Sequence, residues 1–312
     1  MKQTARRTKP ARRRSGFLRT FQKNLPLTIM ALPALVVMFL FRYLPMSGLL
    51  LAFKRFSVRK GIFGSDWVAL QNFEFLFKTS DAWVITRNTI LYNALFIVMD
   101  LILAVAMAIG LSELLRKRRA KIYQTVFMAP YFLSWVVVSF MAFSLFSVDD
   151  GLFNHLLTGA GILDRVFSFL GDPRTALACV ILILFTTSIG QPIVLYVAAL
   201  GNVDSSMVEA ASVDGASRMQ IFWRIKWPAI MPTTLYVVVI TTINSFQCFA
   251  LIQLLTSGGP DYATSTVMYY LYETAFQQYQ YGYADAMGVV LAIVIALFSA
   301  LQFKVMNGGT TE

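Results

Sequence analysis

The sequence is poor in charge, histidine and cysteine, and each shortage removes a class of function. Of its 312 residues only 14% are charged, against about 25% in an average soluble domain. Hydrophobic residues make up 57% and mean hydropathy is +0.63, so the balance is that of a membrane protein. The one histidine, His155, has no metal-ligating neighbours, and no His-Glu-x-x-His occurs, so no metal site is expected. The two cysteines, Cys179 and Cys248, both fall in apolar runs and read as small packing residues that say nothing of redox compartment. No Gly-Lys pair occurs anywhere, which excludes a loop that cradles nucleotide phosphates. Gly-x-Ser-x-Gly and Gly-x-Gly-Asp are missing too. An intramembrane enzyme built on Asp100 and Asp285 is therefore only an alternative reading, and Asp285 stands at the edge of an apolar run. Ionisable residues are scarce inside the apolar runs, whereas an ion-coupled secondary transporter needs buried relays. That reading is likewise kept only as an alternative.

Six apolar stretches are long enough to cross a bilayer, which takes about 20 residues each. They lie near Leu27–Leu51, Thr89–Leu111, Ile122–Phe146, Ala176–Leu200, Thr233–Leu255 and Ala284–Val305. The basic start, with Arg6, Arg7, Arg12, Arg13 and Arg14 among its cations, runs directly into the first stretch. It reads as a cytoplasmic anchor, with no nucleic acid as partner and no cleavable signal. Arg116 to Lys121, the cluster Arg218, Arg224 and Lys226, and Lys304 then fall on the same side, and acid-leaning loops around Asp149-Asp150 and Asp261 on the other. Lys54, Arg55, Arg59 and Lys60 break the rule. The expected fold is all-α and integral to the membrane, with six spans and both ends in the cytoplasm. Its expected parts are a basic arm (1–26), a six-helix transmembrane domain (27–305) containing a polar loop (201–232), and a short tail (306–312).

That polar loop organises the chain. Ser206 with Glu209 fits a capping box, Gly215 can end a helix in the left-handed region, and Ser217 with Gln220 opens a second helix that halts at Pro228. Two short amphipathic helices joined at a glycine corner make a knob. Glu209-Ala210-Ala211, Gly215, Ile225 and Pro228 also fall on the spacing E-A-A-x3-G-x9-I-x-L-P, with Trp227 where leucine is usual. This resembles the cytoplasmic signature of permease subunits of bacterial ATP-binding-cassette importers. Asp214-Gly215-Ala216 and Pro232 are similar to the carbohydrate-uptake branch. Asp150-Gly151-Leu152-Phe153-Asn154 and Gly258-Gly259-Pro260 resemble its polysaccharide- and oligosaccharide-transport permeases.

The resemblance implies a type I importer fold in the bacterial cytoplasmic (inner) membrane. It implies that the knob is a coupling helix lying between the fourth and fifth spans, with Glu209, Ala210, Ala211, Asp214, Gly215, Ile225 and Pro228 engaging an ATPase dimer. A second, distinct permease and an extracytoplasmic solute-binding protein are the other implied partners, besides lipid. No cofactor is expected in this chain; ATP and Mg belong on the ATPase.

Candidates for the substrate path come from the residues themselves. The fifth span carries Thr234, Thr241, Asn244, Ser245 and Cys248 at three-, four- and seven-residue steps, with Gln247 off the stripe. Hydrogen bonding between helices and the lining of a sugar path explain this pattern equally well. Gly190-Gln191-Pro192 interrupts the fourth span, and broken helices mark transport sites, so Gln191 and Tyr196 join the candidates. Asn93 lies with Thr89 and Asp100 along one face of the second span. That face reads as packed or wetted rather than as a proton relay. Amide and aromatic groups suit a sugar, which offers hydroxyls to bond and apolar ring faces to stack.

Overall fold

The computed structural model describes residues 24–78, 80–114 and 117–308; most of the basic arm, Arg116 and the last residues of the tail lie outside them. The chain divides into two compact units, Met1–Leu50 and Leu51–Glu312. In the first, α1 (Leu25–Met38) opens with Pro26 in its first turn, where a missing N–H costs nothing, and carries Pro33 inside. It continues through a π turn, Phe39–Tyr43, into 3-10 helix, and its side chains are almost all exposed, as suits contact with lipid or other chains.

The second unit begins with a short hairpin of β1 (Lys54–Arg55) and β2 (Asp66–Trp67), paired antiparallel with Lys54 opposite Trp67. The all-α expectation is corrected by this one small sheet. Helix α2 (Gly61–Gly64) sits inside the hairpin and α3 (Gln71–Lys78) comes after it. The four cations that broke the charge pattern lie in or beside this hairpin, and two of them have clear local partners. Lys54 donates from Nζ to the carbonyls of Ile62 (3.1 Å) and Phe63 (2.7 Å), and Lys60 pairs with Asp66 at 2.7 Å. Phe53 stacks on Trp67 and tilts against Phe73, whereas Phe63 and Trp83 stay exposed in the manner of an interfacial belt.

The central helix is α4 (Ser80–Ser112), which starts nine residues earlier than the hydropathy suggests. The end of its extra turns and the residue after them hold the segment that leads into the last two helices: Asn88 Nδ2 donates to Tyr262 O at 2.9 Å, and Thr89 Oγ1 accepts from Val267 N at 2.9 Å. Farther along, Ala104 and Ala108 are fully buried, and such small side chains let neighbouring helices approach closely.

The third apolar stretch is not one straight span. Helix α5 (Lys117–Met128) runs through a 3-10 turn, Ala129–Phe132, and breaks before α6 (Trp135–Phe146) with a 103° bend. Pro130 and the N-cap Ser134, which accepts from Val137 N, are the cause. A short α7 (Leu152–Gly159) is tied down by buried Asn154, whose Nδ2 donates to Ser147 O and Phe167 O and whose Oδ1 accepts from Phe167 N.

The fourth stretch is α8 (Ala176–Ser188) and α9 (Gly190–Leu200), bent 45° at the expected Gly190-Gln191-Pro192. After α10 (Ser205–Val213) and α11 (Arg218–Ile221) comes α12 (Trp227–Phe246), and here two expectations change. The chain does not halt at Pro228, and the fifth span does not reach Leu255. Instead a π turn, Phe222–Lys226, joins α11 to α12, and the helix stops at Phe246 before a separate α13 (Ala250–Leu255). The wider π turn places Pro228 in the first turn of α12, where its missing donor is tolerated.

Helices α14 (Val267–Phe276) and α15 (Tyr281–Gly308) close the unit. Among the described residues, four helices are long and apolar enough to cross a membrane, or up to six if each bent pair counts as one span. The main core gathers Tyr92, Phe96, Val180, Ile193, Tyr196, Ile230 and Leu251, joining α4, α8, α9, α12 and α13.

Candidate functional site

The bends have a consequence: they open a cavity of about 490 Å³ in the second unit. Its wall is built from α4 (Phe96, Asp100), the break between α5 and α6 (Tyr131, Trp135), the fourth-stretch bend (Ser188, Gln191, Pro192), α12 (Tyr236, Thr241, Asn244, Ser245) and the turn after it (Gln247, Cys248). Five of the seven path candidates therefore come together: Gln191, Thr241, Asn244, Ser245 and Gln247. Gln247, off the helical stripe in sequence, reaches the cavity because α12 ends one residue before it. Tyr196 and Asn93 do not line it. Tyr196 is fully buried in the core, and Asn93 is turned back along α4, its Nδ2 donating to Thr89 O at 2.7 Å. Thr234 is also buried, donating to Ile230 O.

Asp100 is the residue that sequence reasoning undervalued. It is only 2% exposed, yet it borders the cavity. Its Oδ2 accepts from Thr241 Oγ1 at 3.2 Å, across α4 and α12. Its Oδ1 is buried without a hydrogen-bond partner. The aromatic wall of Tyr131 and Trp135 was missed as well, because the third stretch read as continuous; Pro130 was the available signal.

The knob is built largely as its residues dictate. Asp204, not Ser206, caps α10, its Oδ1 accepting from Ser206 N at 2.9 Å. That bond, from an exposed main-chain N–H, holds the Asp204 carboxyl below the usual carboxylate range. Gly215 ends the helix at φ 80° with Ala216 N bonded to Ala211 O and Gly215 N to Ser212 O, a Schellman closure. Both bonds of the Ser217–Gln220 capping box are present.

With Asp204 capping, Glu209 is left exposed, beside exposed Ala210 and Asp214; Ala211 and Ile225 are half-buried and Pro228 is exposed. Exposed Met207, Val213 and Met219 add apolar surface to this polar projection. Trp227, the departure from the signature, closes an aromatic cluster with Phe222 and Trp223 at 5.9 and 5.7 Å between ring centres. The base of the knob is tied to the end of α4 by Lys226 Nζ and Glu113 Oε1, 2.8 Å apart with Lys226 largely buried. A double-mutant cycle on Glu113→Gln and Lys226→Met, read by thermal unfolding, is expected to give a coupling of about 0.5–1 kcal/mol. A value near zero would show the pair to be incidental.

Long apolar helices around a mainly apolar cavity studded with hydroxyl and amide groups, with an amphipathic knob beside them, are the features of a multi-pass membrane transport subunit. Residues 82–306 match the family described as binding-protein-dependent transport system inner membrane component. The chain belongs to that family of transport system components. It is similar to the polygalacturonan/rhamnogalacturonan transport system permease protein YteP of Bacillus subtilis (strain 168), 30% identical over 269 residues, covering 86% of this chain and 83% of that one. It is also similar to a chain in the crystal structure of a bacterial ABC transporter involved in the import of the acidic polysaccharide alginate. The TM-score is 0.83 at 26% identity, covering 93% of this chain and 98% of that one. A second such structure holds the bacterial alginate ABC transporter in complex with alginate pentasaccharide-bound periplasmic protein, with a TM-score of 0.81 at 27% identity, covering 92% and 95%.

Proposed function

We propose that this chain is a permease subunit of an ATP-driven importer that moves oligo- or polysaccharide across the bacterial cytoplasmic (inner) membrane. In this reading both bent pairs are single spans, giving six, with both ends in the cytoplasm and the knob beneath the bilayer. A second permease completes the pathway, an ATPase dimer carrying ATP and Mg engages the knobs, and an extracytoplasmic binding protein delivers the sugar.

One observation carries the reading: the knob and the cavity wall are parts of one rod. From Arg218 to Phe246 the backbone is helical throughout, 29 residues, or about 43 Å at 1.5 Å per residue. Its first turn is the second helix of the knob, and its last turns present Thr241, Asn244 and Ser245 to the cavity. A push on the knob can therefore travel to the cavity wall along continuous helix, through the π turn and past Pro232. Hydroxyl, amide and aromatic side chains at that wall match what a saccharide offers.

The relatives named for polysaccharide transport support the substrate class, and the missing phosphate loop supports a separate motor. The test is copurification followed by reconstitution. A tagged chain should bring down an ATPase and a second permease, and vesicles holding the assembly should accumulate oligosaccharide only with ATP and a binding protein. Isolation without any ATPase, or uptake driven by an ion gradient alone, would refute the proposal and favour a secondary transporter.

A further inference from the structure

The cavity has one carboxylate in its wall among the described residues, Asp100, and no lysine, arginine or histidine in the lining. Its carboxyl group is held from one side only. Thr241 Oγ1 donates to Oδ2, while Oδ1 has no protein partner although the residue is only 2% exposed. A buried carboxylate oxygen left unsatisfied is costly, and such groups inside a membrane protein mark functional positions.

We propose that Asp100 is a charge filter, so that the cavity passes neutral oligosaccharides and rejects uronate-bearing ones. This rests on the saccharide-importer reading above and narrows its substrate class. A neutral sugar in the cavity meets Asp100 only as a nearby negative charge and carries nothing for it to repel. A uronate supplies a second negative charge instead. Two carboxylates in one water-poor site repel each other, and this chain contributes no cation to neutralise either of them.

The remaining wall treats the two cargoes alike. Gln191, Asn244 and Gln247 bond hydroxyls, and Tyr131 and Trp135 stack on ring faces, whether or not the ring bears a carboxylate. Discrimination therefore falls on Asp100. An acidic cargo of the kind named for the alginate importer would need a basic group where this chain places an acid.

The test uses the purified permease–ATPase assembly in nanodiscs, without binding protein, so that the cavity alone selects. Maltotriose, cellotriose and xylotriose are titrated against trigalacturonate and trimannuronate by calorimetry. The best neutral trisaccharide is expected to bind at least about tenfold more tightly than either uronate. Asp100→Asn, nearly isosteric, should narrow that gap at least about fivefold by raising uronate affinity, while Glu113→Gln, remote from the cavity, leaves it unchanged. Uronates binding the unaltered assembly as tightly as the neutral sugars would overturn the proposal, independently of how the variant folds. So would a folded Asp100→Asn assembly with undiminished discrimination. If none of the five trisaccharides binds and none is taken up when ATP and binding protein are supplied, the saccharide-importer reading itself fails and the filter with it.

Discussion

Glu209→Ala in the assembled transporter is expected to cut ATP-driven uptake by about ten- to hundredfold, the range of a typical coupling free energy between two sites. Membrane insertion and helix content should be unchanged. The reason is what Glu209 does not do. Asp204 caps α10, so the glutamate has no capping duty, and it stands exposed on the knob beside Ala210 and Asp214. On the proposed coupling role, its removal would take away a contact for the ATPase while leaving the chain's own helix ends satisfied.

Gly215→Pro should be as damaging by a different route. A φ of 80° is open to glycine and closed to proline, and proline also deletes the N–H that bonds to Ser212 O. The corner would reshape and the knob would lose its fixed angle to the Arg218–Phe246 rod. ATP hydrolysis that continues without uptake, measured in proteoliposomes, would identify both changes as uncoupling. Normal uptake by both variants would refute the coupling role.

The second large effect is expected at Gly190. A methyl group there would run into Phe127 O and lie 2.8 Å from Met128 Cα, both main-chain atoms that cannot turn aside. Gly190→Leu should therefore push the fourth-stretch bend away from the end of α5. Overpacking of this kind costs about 1–3 kcal/mol, and more where backbone is the obstacle. Thermal unfolding in detergent should show a clearly lowered midpoint, with Gly190→Ala losing less. Because Gln191 is the next residue, any Gly190→Ala protein that folds should also bind oligosaccharide more weakly. An unchanged midpoint for the leucine variant would mean that the two helices are not in contact as described.

Much of this architecture could be read from residue order, and the reasons are local. The glycine corner and the Ser217–Gln220 box arise from bonds between residues a few positions apart, so their geometry needs no distant information. The apolar stretches come from composition, because a bilayer demands continuous hydrophobic length. The first cap was misassigned for an equally local reason: Asp204 and Ser206 both have short oxygen-bearing side chains, and main-chain hydrogen bonding chose between them.

The sequence by itself determined a membrane protein with long apolar spans, a basic start, a two-helix polar knob and no nucleotide loop of its own. These depend on composition and on contacts within one or two turns. Only the tertiary structure decided that the third stretch bends by 103°, that helix continues from Arg218 through a π turn to Phe246, from knob to cavity, and that Asp100 meets Thr241 across 141 positions of chain. Each of those depends on which helices lie side by side, and hydropathy, which treats every helix alone, carries no record of its neighbours.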